Sequence, residues 1–330
     1  MKYDVITFGS ATQDVFMSSR KLQMVEDEKF ITKKGLCAPL GSKMFMDSVV
    51  FAMGGTGTNT AVTFARQDLK TAYLGLIGKG SAGQGVKDEL TKHQVDLAML
   101  QEVEQWPTAY SVIISLPEVG RTILKKTGAC HEIVEQDIPF NKIKAKWLYL
   151  GSLSGKSHKI VKPVVEFAKK NNIKIAINPV GDAQLTEGLE ELRDILFQVD
   201  VVILNQEESA ILAGLDMSKE EEIFKKLDDM VKGVVVMTKG PAGVIVADGQ
   251  DRYSAGIPES GLVDRTGAGD AFSAAFISGL IEKDDISYAI QLGTANATAV
   301  SQEIGAVNGL LKKSDWGSWD KVEVKKNEIN

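Results

Sequence analysis

Two cysteines and three histidines are all that this 330-residue chain offers to thiol or soft-metal chemistry. Cys37 and Cys130 are far apart, so no disulfide framework is implied, and two free thiols in a reducing cytoplasm are expected. His93, His131 and His158 are scattered without metal-ligand spacing and read as solvated surface residues. Long apolar runs are also missing. None approaches the roughly 20 residues of a membrane helix. The start, Met1 to Gly9, enters a strand-like run with no apolar leader or cleavage site, which argues against a signal peptide. No basic run exceeds three residues and the formal net charge is −6, which argues against a general nucleic-acid surface. What remains is 44% hydrophobic and 25% charged, ordinary values that allow a large core.

The chain is organised around Asp264-Arg265-Thr266-Gly267-Ala268-Gly269-Asp270-Ala271-Phe272. Phe272, Phe276, Gly279 and Leu280 recur at helical spacing, so the small-residue turn sits at a helix N-terminus. Unpaired N–H groups there, and glycines that let a ligand approach the backbone, suit an anion such as a phosphate. A carboxylate at Asp270 then makes sense as a base that takes a proton from an attacking hydroxyl. The bland alternative is that Asp270 complements the helix dipole.

Other candidates fall at junctions. Val5 to Gly9 reads as a buried strand, and Asp14 just beyond it can grip a pair of hydroxyls or cap a turn. Gly54-Gly55-Thr56-Gly57-Thr58-Asn59 opens a helix; Asn59 can reach a hydroxyl or cap the helix. Two β-prone pieces interrupt the early chain. One runs over about 16–51, including Phe30-Ile31-Thr32 and Met44 to Val50. The other runs over about 106–126, with a hairpin signal at Pro117 to Gly120. Together they can form one lid that excludes water from a reacting phosphate. Arg121 in this hairpin is the best cationic contact for a sugar phosphate, or simply a solvated charge. Phe16, Phe45 and Tyr110 are candidates for stacking on a base or for packing. Gly78-Lys79-Gly80-Ser81-Ala82-Gly83 follows an apolar run, precedes a helix, and has Glu102 and Glu104 about 20 residues on. Alone, that is a dinucleotide fingerprint and supports a rival reading, an NAD-dependent oxidoreductase.

From about Ile143 strands and helices alternate, which implies a parallel sheet covered on both faces with strand C-termini along one edge. Asn205 and Glu208 lie three apart at such an edge. They can hold Mg²⁺ through waters, or are the polar first turn of a helix. Thr238 to Gly243 is another polar turn at a strand end. Trp316 and Trp319 are expected to pack on the body and the last residues to fray.

The nine residues from Asp264, the glycines before Asn59, and Asn205-x-x-Glu208 resemble, in family order, the signatures of the ribokinase-like (PfkB) carbohydrate kinases. Arg265 departs from the more usual Thr. The resemblance spans nearly the whole chain. It implies one domain over 1–330, an α/β fold, with a three-layer α/β/α sandwich, a mostly parallel central sheet and a small β lid. It implies ATP and Mg²⁺, with a small sugar as acceptor, or a nucleoside as the alternative. By the same resemblance Gly54, Gly55 and Asn59 line the sugar site with Asp14. Gly267, Ala268 and Gly269 form the anion hole beside Asp270. Asn205, Thr238, Gly240, Gly243 and Asn296 border ATP, and Glu208 serves Mg²⁺. Some members hold K⁺ near Asp264 and Thr266, but Val307-Asn308-Gly309 lacks a side-chain hydroxyl, which puts K⁺ in doubt. An apolar lid face would favour a homodimer through the lid.

Overall fold

The computed structural model describes residues 2–30, 32–179, 185 and 188–328. Its centre is a ten-stranded sheet. Seven strands run parallel: β1 (Tyr3–Phe8), β6 (Thr71–Gly78), β7 (Asp96–Val103), β10 (Ala145–Leu150), β11 (Lys174–Ile177), β12 (Val201–Asn205) and β13 (Val234–Thr238). Three antiparallel strands extend one edge: β14 (Val244–Ala247), β15 (Asp251–Ala255) and β16 (Lys325–Glu328). The inner parallel strands are nearly continuous apolar runs because both faces are covered, whereas the edge strand β7 is half exposed and carries Asp96, Gln101 and Glu102. Alternation along β1 divides the core: Ile6 and Phe8 pack with one helix layer and Val5 with the other.

The first layer holds α3 (Val161–Lys170), α4 (Leu189–Leu196), α5 (Gln206–Ala213) and α6 (Glu220–Met230), with Val164, Leu192, Leu212 and Phe224 inward. The opposite layer holds α1 (Thr56–Arg66), α2 (Ser81–Lys92), α7 (Ala268–Lys283) and α8 (Ile286–Val300). Phe64, Phe272 and Phe276 fill the space beneath α1 and α7. These helices are rich in small residues and pack closely; a Cβ on Gly279 would stand 2.6 Å from Cα of Ala289.

A second, four-stranded sheet forms the lid, in the order β5 (Ser48–Gly54), β2 (Thr12–Ser18), β8 (Ala109–Leu116), β9 (Gly120–Lys126). β2 pairs parallel with β8, and the outer pairs are antiparallel, so the lid is mixed. Two inserted segments therefore build one lid, which begins at Thr12 and reaches Gly54, a little beyond the expected limits. A separate hairpin joins β3 (Gln23–Glu26) to β4 (Lys34–Cys37).

Some local expectations need correction. Phe30 and Thr32, expected as strand, sit in the β3–β4 turn, and Ile31 lies outside the described residues. The backbone closes there through Asp27 N–H to Lys33 O at 3.2 Å, and turn closure overrides β propensity. Lys325–Glu328 pairs with β15 as an edge strand, and the last two residues, part of the stretch expected to fray, lie outside the described residues. Trp316 and Trp319 do pack on the body, against Ala295, Ala299 and Leu311. The histidines are half-buried rather than freely solvated, each held by a neighbour, for example His93 Nε2 to Glu89 at 3.1 Å.

Candidate active site

Two helix N-termini meet below the lid. α7 begins at the small-residue turn and α1 at the glycine-rich one. Gly267 has φ of 81°, and a Cβ there would lie 2.4 Å from Cβ of Ala306, so the turn rests directly on the Gly305-Ala306 segment. Gly269 faces open space, with nothing among the described residues within 4 Å of where a Cβ would be. The Ala268 N–H reaches the Arg265 carbonyl at 3.3 Å; among the described residues, the N–H groups of Gly267 and Gly269 have no partner. The turn is thus an open cradle of donors, with Ala268 the least free of the three.

Asp270 stands in the first turn of α7. Its Oδ2 accepts a hydrogen bond from Asn59 Nδ2 at 2.8 Å, which joins residues 211 positions apart. Burial at the cleft floor pushes the Asp270 carboxyl up to about 6; the Asn59 amide opposes this and the Asp14 charge adds to it. Asn59 itself is buried, and among the described residues its Oδ1 has no partner, so an acceptor remains for a ligand hydroxyl. Asp14 is also buried, and Thr12 Oγ1 donates to its Oδ1 at 2.9 Å. Burial raises its carboxyl as well, against Thr12, Ser111 and the nearby Lys125. Gly54 is required beside it: a Cβ would stand 2.0 Å from Asp14 Oδ2. Gly55, at φ of 105°, lies against the Ser10 carbonyl, where a Cβ would come within 2.4 Å. Asp14, Gly54, Gly55, Asn59 and Asp270 therefore converge.

On the far side of the turn lies a cleft of about 420 Å³ between the ends of β12 and β13, the loop over 257–262, and helices α7 and α8. Asn205, Thr238, Gly240 and Gly243 line it with Ala268 and Gly269. Asn296 does not. It is fully buried, donates to Leu292 O at 3.1 Å and accepts from Leu311 N–H at 3.2 Å, so it ties α8 to the segment after it. Its neighbours Thr294, Ala297 and Thr298 face the cleft instead. The loop over 257–262 and Phe272 also line it. The loop has no periodic pattern that would have marked it in advance.

Asn205 and Glu208 form a reciprocal capping box on α5, each backbone N–H bonding the other's side-chain oxygen at 2.8 Å. Burial pushes Glu208 up to about 7, with Glu207 and Asp270 adding to the shift. Among the described residues no group of three His, Cys, Asp or Glu side chains is arranged to hold a metal. These donors fit Mg²⁺ only as a hydrated ion carried mainly by phosphate oxygens. Lys239 is committed to Glu220 at 2.8 Å. Arg121, expected at an acceptor phosphate, instead reaches from the lid to Asp264 and to Thr266 Oγ1, the latter at 2.6 Å.

The Gly78–Gly83 motif has the strand–turn–helix context of a dinucleotide loop, but Gly78 and Gly83 serve packing, and Gly80 serves the turn with φ of 128°. A Cβ on Gly78 would meet Trp106 O and Thr108 N at 2.4 Å, and one on Gly83 would meet Gly78 O at 2.1 Å. Glu102 and Glu104 pair with Lys87 and Lys79 rather than facing a ribose.

The fold and the paired N-termini define an α/β kinase that moves a phosphoryl group to an alcohol. More narrowly, the chain belongs to the pfkB family of carbohydrate kinases, whose model matches residues 30–313. It is thus an ATP-dependent phosphotransferase with an alcohol as acceptor, and the oxidoreductase reading falls. A ribokinase of Lactococcus lactis subsp. lactis is 28% identical over 305 residues, covering 91% of this chain and 95% of that one. The structure of Arabidopsis thaliana ribokinase with ribose and ATP superposes with a TM-score of 0.76 at 21% identity, over 95% of this chain and 97% of that one. An Escherichia coli structure, assigned there as a ribokinase II, in complex with ATP and Mg²⁺, gives a TM-score of 0.78 at 16% identity, over 93% and 96%. No helix among the described residues is long and apolar enough to cross a membrane.

Proposed function

We propose that this enzyme transfers the γ-phosphoryl group of ATP to a hydroxyl of a small free sugar. The observation that carries this is the meeting of Asn59 and Asp270 at 2.8 Å, beside an open turn and beneath Asp14. Asp14 and the free Asn59 Oδ1 orient the acceptor through its hydroxyls, and Gly54 and Gly55 let the sugar lie against the backbone. Asp270 takes the proton from the attacking oxygen. The N–H groups of Gly267 and Gly269, with Ala268 beside them, stabilise charge on the transferring group. Asn205, Thr238, Gly240 and Gly243 border the nucleotide. Mg²⁺, when bound, neutralises phosphate charge, and Glu208 with Asn205 would meet its water shell. The proposal includes no K⁺, because Arg121 already meets Asp264 and Thr266.

A nucleoside acceptor is the second reading. Phe16 favours it: strand alternation puts this buried ring on the same lid face as Asp14, where it can stack on a base. Tyr110 alternates to the opposite face from Ser111, the partner of Asp14, and Phe45 is exposed. We also propose a homodimer through the lid. Phe51, Val112 and Leu124 align with Val15 on the lid face away from Asp14, and Phe51 and Leu124 are exposed. We place the enzyme in the cytoplasm, where ATP is supplied and its two thiols stay reduced.

The test is ADP release from Mg·ATP with ribose, fructose, 2-keto-3-deoxygluconate, fructose phosphates, adenosine or cytidine. Stimulation by a free sugar supports the proposal. Stimulation by nucleosides alone, or by sugar phosphates alone, overturns the acceptor assignment. Light scattering of the eluted protein tests the dimer, and a monomer at micromolar concentration overturns it.

A further inference from the structure

Of all the side chains lining the cleft that borders the turn, one is charged: Arg265. The rest are apolar, hydroxylated, amide or glycine, which suits a base and ribose but does little for a polyanion. Arg265 immediately precedes Thr266, and its carbonyl accepts the Ala268 N–H at 3.3 Å, so its backbone is part of the anion turn itself. Its residue is exposed, and the guanidinium has no ion-pair or hydrogen-bond partner among the described residues. Asp264, the adjacent carboxylate and the natural partner, already pairs through its Oδ1 with Arg121 from the lid. Lys239, the other cation near the strand ends, is held by Glu220 at 2.8 Å. The fold thus satisfies Arg121 and Lys239 internally and leaves Arg265 facing the space beside Gly269.

We propose that Arg265 is a further catalytic residue, whose guanidinium holds the β- and γ-phosphate oxygens of ATP during transfer. The inference rests on the assignment of this cleft to ATP. In the step, the acceptor oxygen bonds to the γ-phosphorus and its proton passes to Asp270. The bond from the γ-phosphorus to the β–γ bridging oxygen breaks, and ADP leaves. Charge gathers on the bridging and equatorial oxygens. A planar, permanently charged fork binds two such oxygens together, which a Thr at this position would not do. Asp264 raises the Asp14 carboxyl and Asp14 raises that of Asp270, so carboxylates gather on the acceptor side, and a cation in the adjoining cleft also offsets their repulsion of phosphate.

The experiment is calorimetric titration of wild type, Arg265→Ala and Arg265→Lys with AMP, ADP and ATP in Mg²⁺, with turnover measured on the acceptor that stimulates wild type. Arg265→Ala is expected to bind AMP within about 2-fold of wild type, to bind ATP about 10-fold more weakly, and to lose about 10²-fold in kcat/KM for ATP. Added guanidinium restores part of the lost turnover, and Arg265→Lys falls between the two. Equal ATP affinity and turnover in Arg265→Ala overturns the assignment. So does an equal loss of AMP and ATP affinity, which would give Arg265 a role away from the phosphates. Because the side chain is exposed, both variants should melt with wild type; if Arg265→Ala does not, Arg265→Lys and its AMP-to-ATP affinity ratio decide. A wild type that binds none of the three nucleotides sinks the ATP assignment of the cleft. Wild-type binding retained by Arg265→Ala sinks the role of Arg265 alone.

Discussion

Removing the Asn59 amide should raise the pH at which the enzyme switches on. Burial pushes the Asp270 carboxyl up to about 6, and the Asn59 hydrogen bond at 2.8 Å is the contact that favours its charged form. A hydrogen bond to a charged group contributes about 1.5–3 kcal/mol. At 1.36 kcal/mol per pKa unit, that is roughly 1–2 units. A base acts only when deprotonated, so kcat should rise with pH along a limb centred near 6 in the wild type. In Asn59→Ala the limb moves to about 7–8. At pH 6 the variant loses roughly 5- to 50-fold, and at pH 9 much less. The assay is kcat from pH 5 to 9 by coupled ADP detection, at saturating ATP and acceptor. Glu208 is pushed up to about 7 and shares the field of Asp270, so Glu208→Gln is the control that should keep the wild-type limb. A limb that stays in place in Asn59→Ala, or moves to lower pH, refutes the reasoning.

Two further outcomes follow from the same geometry. Gly54→Ala places a Cβ 2.0 Å from Asp14 Oδ2 and displaces the carboxylate; the KM for the acceptor should rise about 10-fold or more, while ATP affinity, read by calorimetry, is unchanged. Glu208→Gln should flatten the pH dependence of stability. The folded pKa of about 7 lies above the ordinary 4.5, so the folded state gains on protonation. That gain is complete below about pH 4.5 and lost as pH rises through about 7. Urea midpoints at pH 5 and pH 8 should therefore differ less in the variant than in the wild type.

Legibility followed local pattern. The Asp264 to Phe272 string announces itself because a phosphate turn needs glycine, a helix and a carboxylate in fixed order, and the structure supplies all three. The alternating strands and helices after Ile143 are equally plain, because parallel strands buried on both faces are apolar throughout. What was hidden depends on distance along the chain. The Asn59–Asp270 hydrogen bond joins the two signatures across 211 positions. Arg121 reads as a free hairpin charge until the lid brings it to Asp264. Asn296 looks like a polar group available to a ligand, but α8 is buried on that side and its amide closes an internal hydrogen-bond pair. The Gly78–Gly83 motif misleads because close packing and nucleotide approach both select glycine, and only the position of the Trp106–Thr108 segment separates them.

The most direct test of the account compares ADP release by wild type and Asp270→Asn, with Mg·ATP and the stimulating acceptor. Nearly isosteric, the amide should keep the Asn59 neighbourhood filled and leave ATP affinity intact. The account predicts that turnover falls about 10²-fold or more because no base takes the hydroxyl proton. Turnover near the wild-type value, with ATP still bound, would contradict the role of Asp270 on which the mechanism depends.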